Sequence, residues 1–282
     1  MRESYDVAVI GAGVLGCAVA RLLSRFEGAF AVLEREHDVG TGASSRNSGV
    51  IHAGINYSPG TLRAQYCMEG RKLLRDWCEE LNVPHRICGK LVLARSKEES
   101  AVLERLLAQG SANGVPDLRI VSREEAASLQ SGLECVAALH VPSSGIVSPY
   151  ALTIALAEDA AVNGVDLRVG TAVLDMRATP GGFEIGTTAG TIGATCIVNA
   201  AGVHAGRIAR LLDPGAPEVY GCIGEYLVLD KRAGETISMS VYPAPGEGDS
   251  GLGVHITPTV DGNLLLGPSS EYVCDPESTG CT

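Results

Sequence analysis

An α/β architecture, with a doubly wound parallel sheet joined to a mixed-sheet α+β region, is what this 282-residue chain predicts. Three features carry that expectation. The first 36 residues read strand, tight turn, helix, strand, and such a βαβ unit implies parallel pairing. A helix followed by strands and a further helix returns between residues 143 and 214. From 215 to 270 short strands dominate.

YDVAVI at 5–10 is a β-branched apolar run that ends in GAGVLG, and CAVARLLSRF then keeps a helical apolar face. AFAVLERE at 29–36 is a second apolar strand. SSRNSGVIHAGINYSPGTL, from Ser44 to Leu62, has no helical period. Behind it, Leu62, Tyr66, Leu73, Trp77 and Leu81 recur at helix-like intervals after Pro59, which predicts a long amphipathic helix with its RKLLR run on a solvated face. From Arg86 the texture changes to a strand in RICGKLVLARS, a helix near 97–113, a short helix in SREEAASLQ and a strand in CVAALHVP, a block that reads as an insertion. The stretch 148–165 is a helix with Pro149 in its first turn, and DLRVGTAVLDMRA follows as strands. A turn at TPGGF leads through FEIGTT and GTIGATCIVNA to the helix HAGRIARLL. The parallel-sheet domain is therefore expected in two parts, 1–84 and 143–214, and the mixed-sheet domain in two others, 85–142 and 215–282.

Composition narrows the function. A formal charge of −11 and a pI near 5.0 argue against nucleic acid and anionic membranes as partners, since both need a basic face, and favour a small-molecule ligand. No basic-then-apolar leader precedes the first strand, and no apolar run approaches the ~18 residues that span a bilayer, so a cytoplasmic protein is expected. None of the nine cysteines forms a C-x-x-C pair, so neither disulfides nor a metal site is expected. Cys17 and Cys196 lie in apolar runs and read as small buried hydrophobes.

Gly11, Gly13 and Gly16 form G-x-G-x-x-G between a strand and a helix, with Glu34 18 residues past Gly16 at the end of the next strand. The first glycine permits a tight turn, the second lets backbone approach a pyrophosphate at the positive helix end, and the third allows close helix–strand packing. Glu34 can accept hydrogen bonds from a ribose diol. Placed in a complete βαβ unit, these residues predict a Rossmann-like dinucleotide site, but they do not separate FAD from NAD. TCIVNAAGVHAGRIA, an apolar strand ending in Ala200, Ala201 and Gly202, adds small residues where a chain could cross close to a cofactor.

SSRNSGVIHAG, following this unit, resembles the flavin-contacting segment of the D-amino-acid-oxidase-like superfamily of FAD-dependent oxidoreductases. YSPGTL, GKLVLA, GEYLVLDK and GVHITPTVDGNLLLGP are similar to the L-2-hydroxyglutarate dehydrogenase and anaerobic glycerol-3-phosphate dehydrogenase-like branch, over residues 5 to about 275. The resemblance implies FAD as cofactor. It implies contacts from Gly11, Gly13, Val14, Leu15, Gly16, Glu34 and Arg35, then from Ser44, Ser45, Arg46, Asn47, Ser48 and Gly49, and finally from Val173, Ala200, Ala201 and Gly202.

The sequence offers His52 rival roles: orienting flavin or substrate, acting as base, carrying a covalent flavin link, or sitting as a hydrogen-bonded core histidine. His255 is the first candidate for the base, against an imidazole satisfied within a sheet. Glu225 and Tyr226 match the branch and are candidates for orienting substrate. Relatives usually carry arginine just before Gly-Glu-Tyr, where this chain has Ile223, so an arginine fork for carboxylate or phosphate is missing. The resemblance implies hydride transfer from a small anionic 2-hydroxy acid, L-2-hydroxyglutarate first, to flavin N5, with sn-glycerol 3-phosphate oxidation or a non-catalytic flavin-binding module as alternatives. The electron acceptor is left open. Relatives continue past the segment matching the end of this chain, so the C-terminal part of the usual fold is expected to be missing here and to be supplied by further polypeptide or a partner subunit.

Overall fold

The structure, a computed structural model, describes residues 3–246, 253–275 and 277. A six-stranded sheet runs in the order Val173–Thr179, Gly182–Thr187, Gly190–Asn199, Ser4–Ile10, Phe30–Leu33, Asp166–Arg168. Its last four strands are parallel and its first three form an antiparallel meander. The Phe30–Leu33 strand is buried along its whole length because both faces are covered. On one face Val9 and Val32 meet Cys17 of the Val14–Leu23 helix and Leu152 and Leu156 of the Pro149–Val162 helix. On the other, Ala8, Ile10 and Leu33 meet Ile185, Ile192 and Ile208. Ser148 caps the Pro149–Val162 helix by accepting from the Ala151 N–H, with Pro149 in the first turn where its missing donor costs nothing.

A seven-stranded mixed sheet runs Leu227–Leu229, Leu264–Gly267, His255–Pro258, Ser240–Pro243, Lys90–Ala94, Ala137–Val141, Arg119–Ser122. Ser240–Pro243 lies parallel to Lys90–Ala94, and the other neighbours are antiparallel. The Lys97–Ala112 helix packs on one face through Leu103 and Leu106, and the Arg123–Leu129 helix on the other through Ala126. Ser96 and Ser122 cap these two helices through the N–H groups of Glu99 and Glu125. A small sheet of Val50–Ile51, Gly145–Val147 and His85–Arg86, too short to register as a sequence pattern, carries the chain from one large sheet to the other.

Two expectations are corrected. The long helix forms over Leu62–Glu80 with Thr61 as its cap, but Leu62, Tyr66 and Leu73 are exposed. The covered stripe is Ala64, Cys67, Arg71, Leu74 and Cys78, one residue round from the leucines, because small and amphipathic side chains let the helix lie close to its neighbours. Cys196 is exposed, unlike the buried Cys17, because the C-terminal half of its strand has one face uncovered. Among the described residues no helix is long and apolar enough to cross a membrane, and no group of side chains could hold a metal ion.

Candidate active site

The three glycines of the turn differ in why they must be glycine. At Gly11, with φ +101°, an added Cβ would lie 2.6 Å from the Ala200 carbonyl oxygen, and at Gly16 it would lie 1.9 Å from the Gly11 oxygen. Both are demanded by backbone packing. Gly13 has φ −72°, which any residue adopts, and an added Cβ would meet only the Ser44 hydroxyl, at 3.1 Å. The protein's own packing therefore leaves a cradle at Gly13, at the N-terminus of the Val14–Leu23 helix, whose cap makes no side-chain hydrogen bond.

Glu34 stands where the sequence places it, but its carboxylate accepts from two backbone donors, the Ala12 N–H at 2.7 Å and the Glu36 N–H at 2.9 Å. It braces the glycine turn. The Thr171 N–H donates to the Glu34 carbonyl at 2.7 Å, which brings the start of the Val173–Thr179 strand to the same end. Leu15 is largely exposed on the first helical turn. Arg35 pairs with Glu277 at 2.5 and 3.0 Å and with Glu36 at 2.9 Å, and His204 reaches Glu277 at 3.5 Å. Gly202, at φ +57°, has open space where a Cβ would stand.

The Ser44–Gly49 segment wraps the helix start. The Ser44 hydroxyl accepts from the Val14 N–H at 2.9 Å, and Ser45 and Arg46 bond back to the Gly42 carbonyl. Asn47 donates to the carbonyls of Ala43 and Ser44 and accepts from the Gly49 N–H, so its amide shapes this irregular backbone. Gly49, at φ +63°, abuts the Val147 oxygen, 2.3 Å from where a Cβ would stand. Half-buried Ser48 completes the turn.

Strand alternation assembles the rest. Register pairs Lys90 with Ser240 and Val92 with Tyr242, and the neighbouring pairing of Val241 with Ile256 puts His255 and Thr257 on the same face as Tyr242. That face packs against Ala53 and Ile55, immediately after His52. Tyr242 stacks on His255 with ring centroids 3.8 Å apart, and the Lys90 ammonium sits 4.4 Å from the Tyr242 ring centroid. His255 Nδ1 lies 2.8 Å from the Gly253 carbonyl, which can only accept, so Nδ1 carries the proton and Nε2 keeps its lone pair. Nε2 is buried with no partner among the described residues, as is the Ser240 hydroxyl, while the buried Tyr242 and Thr257 hydroxyls lie close enough to act on one another.

The electrostatics follow from this crowding. Burial, with Lys90 and His255 nearby, lowers His52 to a pKa of about 4. Burial also lowers His255, and the Gly253 bond only partly offsets it. Both imidazoles are neutral at pH 7. The structure thus brings His52 and His255 into one electrostatic neighbourhood. Tyr226 is half-buried and acts on Tyr242, while Glu225 is fixed through its backbone to Ser269, at 3.0 Å in both directions. Lys90, Ser240, Tyr242 and Thr257 were not singled out from sequence; a lysine inside the otherwise apolar GKLVLA was the available signal.

Residues 6–281 match the family described as FAD dependent oxidoreductase (DAO). The chain belongs to this family. It is 38% identical over 280 residues to a glycerol 3-phosphate dehydrogenase of Caloramator mitchellensis, covering 99% of this chain and 58% of that protein. It is 33% identical over 285 residues to the mitochondrial L-2-hydroxyglutarate dehydrogenase of Nematostella vectensis, covering 95% and 62%. The chain therefore spans about three fifths of the length of these curated relatives. Among solved structures it superposes on the dithionite-reduced, FAD-bound L-alpha-glycerophosphate oxidase of Mycoplasma pneumoniae with a TM-score of 0.88 at 29% identity, over 98% of this chain and 74% of that one. Glycine oxidase from Geobacillus kaustophilus matches with a TM-score of 0.84 at 27% identity, over 97% and 73%. FAD is thus the cofactor to test against the site, and the cradle at Gly13 over a helix N-terminus fits its pyrophosphate.

Proposed function

We propose that this protein oxidises the C2 hydroxyl of a small anionic hydroxy compound, L-2-hydroxyglutarate first, with FAD as the cofactor that would take up the hydride. The observation that carries the reading is His255 Nε2: a buried, unprotonated acceptor with no partner among the described residues, on a sheet face that packs against the segment after His52. Bound FAD would supply the two-electron acceptor. Gly11, Gly13, Val14, Leu15 and Gly16 would hold its pyrophosphate and Glu34, Arg35 and Val173 its adenosine end. Ser44–Gly49 and Ala200–Gly202 would line the flavin. His255 Nε2 takes the hydroxyl proton, and the Nδ1 bond to Gly253 fixes the ring that receives it. His52 orients flavin or substrate, and Glu225 and Tyr226 close the substrate side.

A second substrate, sn-glycerol 3-phosphate, is favoured by the 38% identity to a glycerol 3-phosphate dehydrogenase. Two-part domains, 1–84 with 143–214 and 85–142 with 215–282, are proposed around the two large sheets, with the electron acceptor supplied from outside the chain. A reducing, cytoplasmic compartment is proposed on the unpaired state of the described cysteines. The test is anaerobic mixing of the FAD-loaded protein with each substrate in turn, following flavin bleaching. Bleaching by either supports the reading and ranks the two. Bleaching by amino acids alone, or FAD binding with no bleaching by any of them, overturns it, the second result leaving a non-catalytic flavin module.

A further inference from the structure

We propose that the Lys90 ammonium is the anion receptor of this site, binding the carboxylate or phosphate of the hydroxy compound and so fixing which carbon is presented to His255. The inference rests on the preceding reading of the site as one for a small anionic hydroxy compound.

Lys90 is 1% exposed in the centre of a seven-stranded sheet, followed by the buried residues Leu91, Val92, Leu93 and Ala94. Lysine is almost never buried without a partner. Among the described residues it has no carboxylate within ion-pair distance and no hydrogen-bond acceptor; the Tyr242 ring is its neighbour. A cation–π contact returns far less than desolvating an ammonium costs, so the position is poorly explained by stability: a methionine of similar volume would pack there without that cost.

Among the described residues, the groups around it carry no negative charge. Lys90 acts on His52, His255 and Cys67, and the Cys67 thiol donates to the His52 carbonyl. Arg71, on the covered stripe of the Leu62–Glu80 helix, acts on the same thiol, and its Nη1 is buried with no partner among the described residues. An unpaired ammonium and two neutral imidazoles therefore meet, with the Arg71 guanidinium beyond Cys67, and an anion is the charge this neighbourhood lacks. Lys90 also lines a small, mostly apolar crevice with Asn56, Tyr242 and Pro243, with room for about one water.

The test uses the FAD-loaded protein, its Lys90→Met variant, and two probes that cannot be oxidised at this site, glutarate and inorganic phosphate, read by perturbation of the flavin spectrum. Lys90→Met is expected to weaken binding of whichever probe the wild type takes by about 100-fold, and to raise KM far more than it lowers kcat, with FAD content retained and the melting temperature equal or higher. Unchanged probe affinity in the folded variant overturns the proposal. Should the variant fail to fold, the wild type decides. Burial holds Lys90 near a pKa of about 8, whereas His52 and His255 are lowered and Cys67 and Tyr242 are raised, and Arg71 stays charged. Probe affinity should fall about tenfold per pH unit above the Lys90 transition, and a flat profile overturns the proposal. Lys90-dependent probe binding without bleaching by either hydroxy substrate would keep the receptor and sink the oxidation. Bleaching that is indifferent to Lys90→Met would do the reverse.

Discussion

Replacing Gly13 and Gly16 separately by alanine separates a cofactor site from a structural turn. At Gly16 the new Cβ would stand 1.9 Å from the Gly11 oxygen and 3.0 Å from its carbon, both backbone atoms that cannot rotate away. Overpacking of this kind costs about 3 kcal/mol, which lowers the melting temperature of a chain this size by roughly 6–12 °C. At Gly13 the backbone is at φ −72° and the Cβ meets only the Ser44 hydroxyl at 3.1 Å, so the fold loses about 1 kcal/mol or less, mainly as a poorer helix cap. The same methyl stands in the pyrophosphate approach and should weaken FAD binding about 10- to 100-fold. Calorimetry of the FAD-free proteins gives the first quantity, and quenching of flavin fluorescence on titration the second. Gly13→Ala retaining wild-type FAD affinity, or Gly16→Ala melting with the wild type, would refute the division of labour drawn from the geometry.

Glu34→Ala removes the acceptor of two backbone N–H groups, so it should cost about 2–4 kcal/mol in the FAD-free protein as well as FAD affinity; a pure ribose-binding role would leave the denaturation midpoint unmoved. His255→Ala should slow flavin reduction about 10²- to 10⁴-fold, while His52→Ala should disturb the flavin spectrum as much as the rate; stopped-flow reduction unchanged in the first and abolished in the second would exchange their roles. His52 should also make the fold acid-labile. The unfolded imidazole takes a proton near pH 6.5 and the native one only near about 4, so the unfolded state binds more protons in that window and stability falls as pH drops through it, by at most about 3 kcal/mol. Urea midpoints for wild type and His52→Leu at pH 7 and in that acid window check this, and an equal acid loss in both proteins contradicts it.

The glycine turn and its flanking strands were legible because their determinants are local: a short apolar run, φ-tolerant residues and a helix start lie within a few positions of one another. The Leu62–Glu80 helix was legible as a helix, and Trp77 and Leu81 at its C-terminal end do pack on the core, but its covered stripe runs through Ala64, Arg71 and Cys78 and leaves Tyr66 and Leu73 outside. Periodicity finds an apolar stripe, and here the neighbours accept a closer, more polar one. Glu34 was legible as an acid at the right distance, but not as the brace for Ala12, because a carboxylate serving a ribose and one serving its own loop share a sequence signature.

The proposed substrate side was hidden for a different reason. Lys90, Tyr242 and His255 meet because the Ser240–Pro243 strand inserts between Lys90–Ala94 and His255–Pro258, a parallel pairing on one side and an antiparallel one on the other, and neither register is written in local pattern. What was visible is an inconsistency within single strands, a lysine before LVLA and a histidine and threonine in HITP. Alternation sends those side chains into the packed face, where an isolated strand would favour an apolar residue at each position. Several such departures on one face, leaving His255 Nε2 and the Ser240 hydroxyl without partners among the described residues, are hard to sustain as packing, because each orphaned group carries its own desolvation cost. A bound polar molecule answers several of them at once, so the departures from local rule that made this face unreadable in sequence are the reason we propose it as the substrate face.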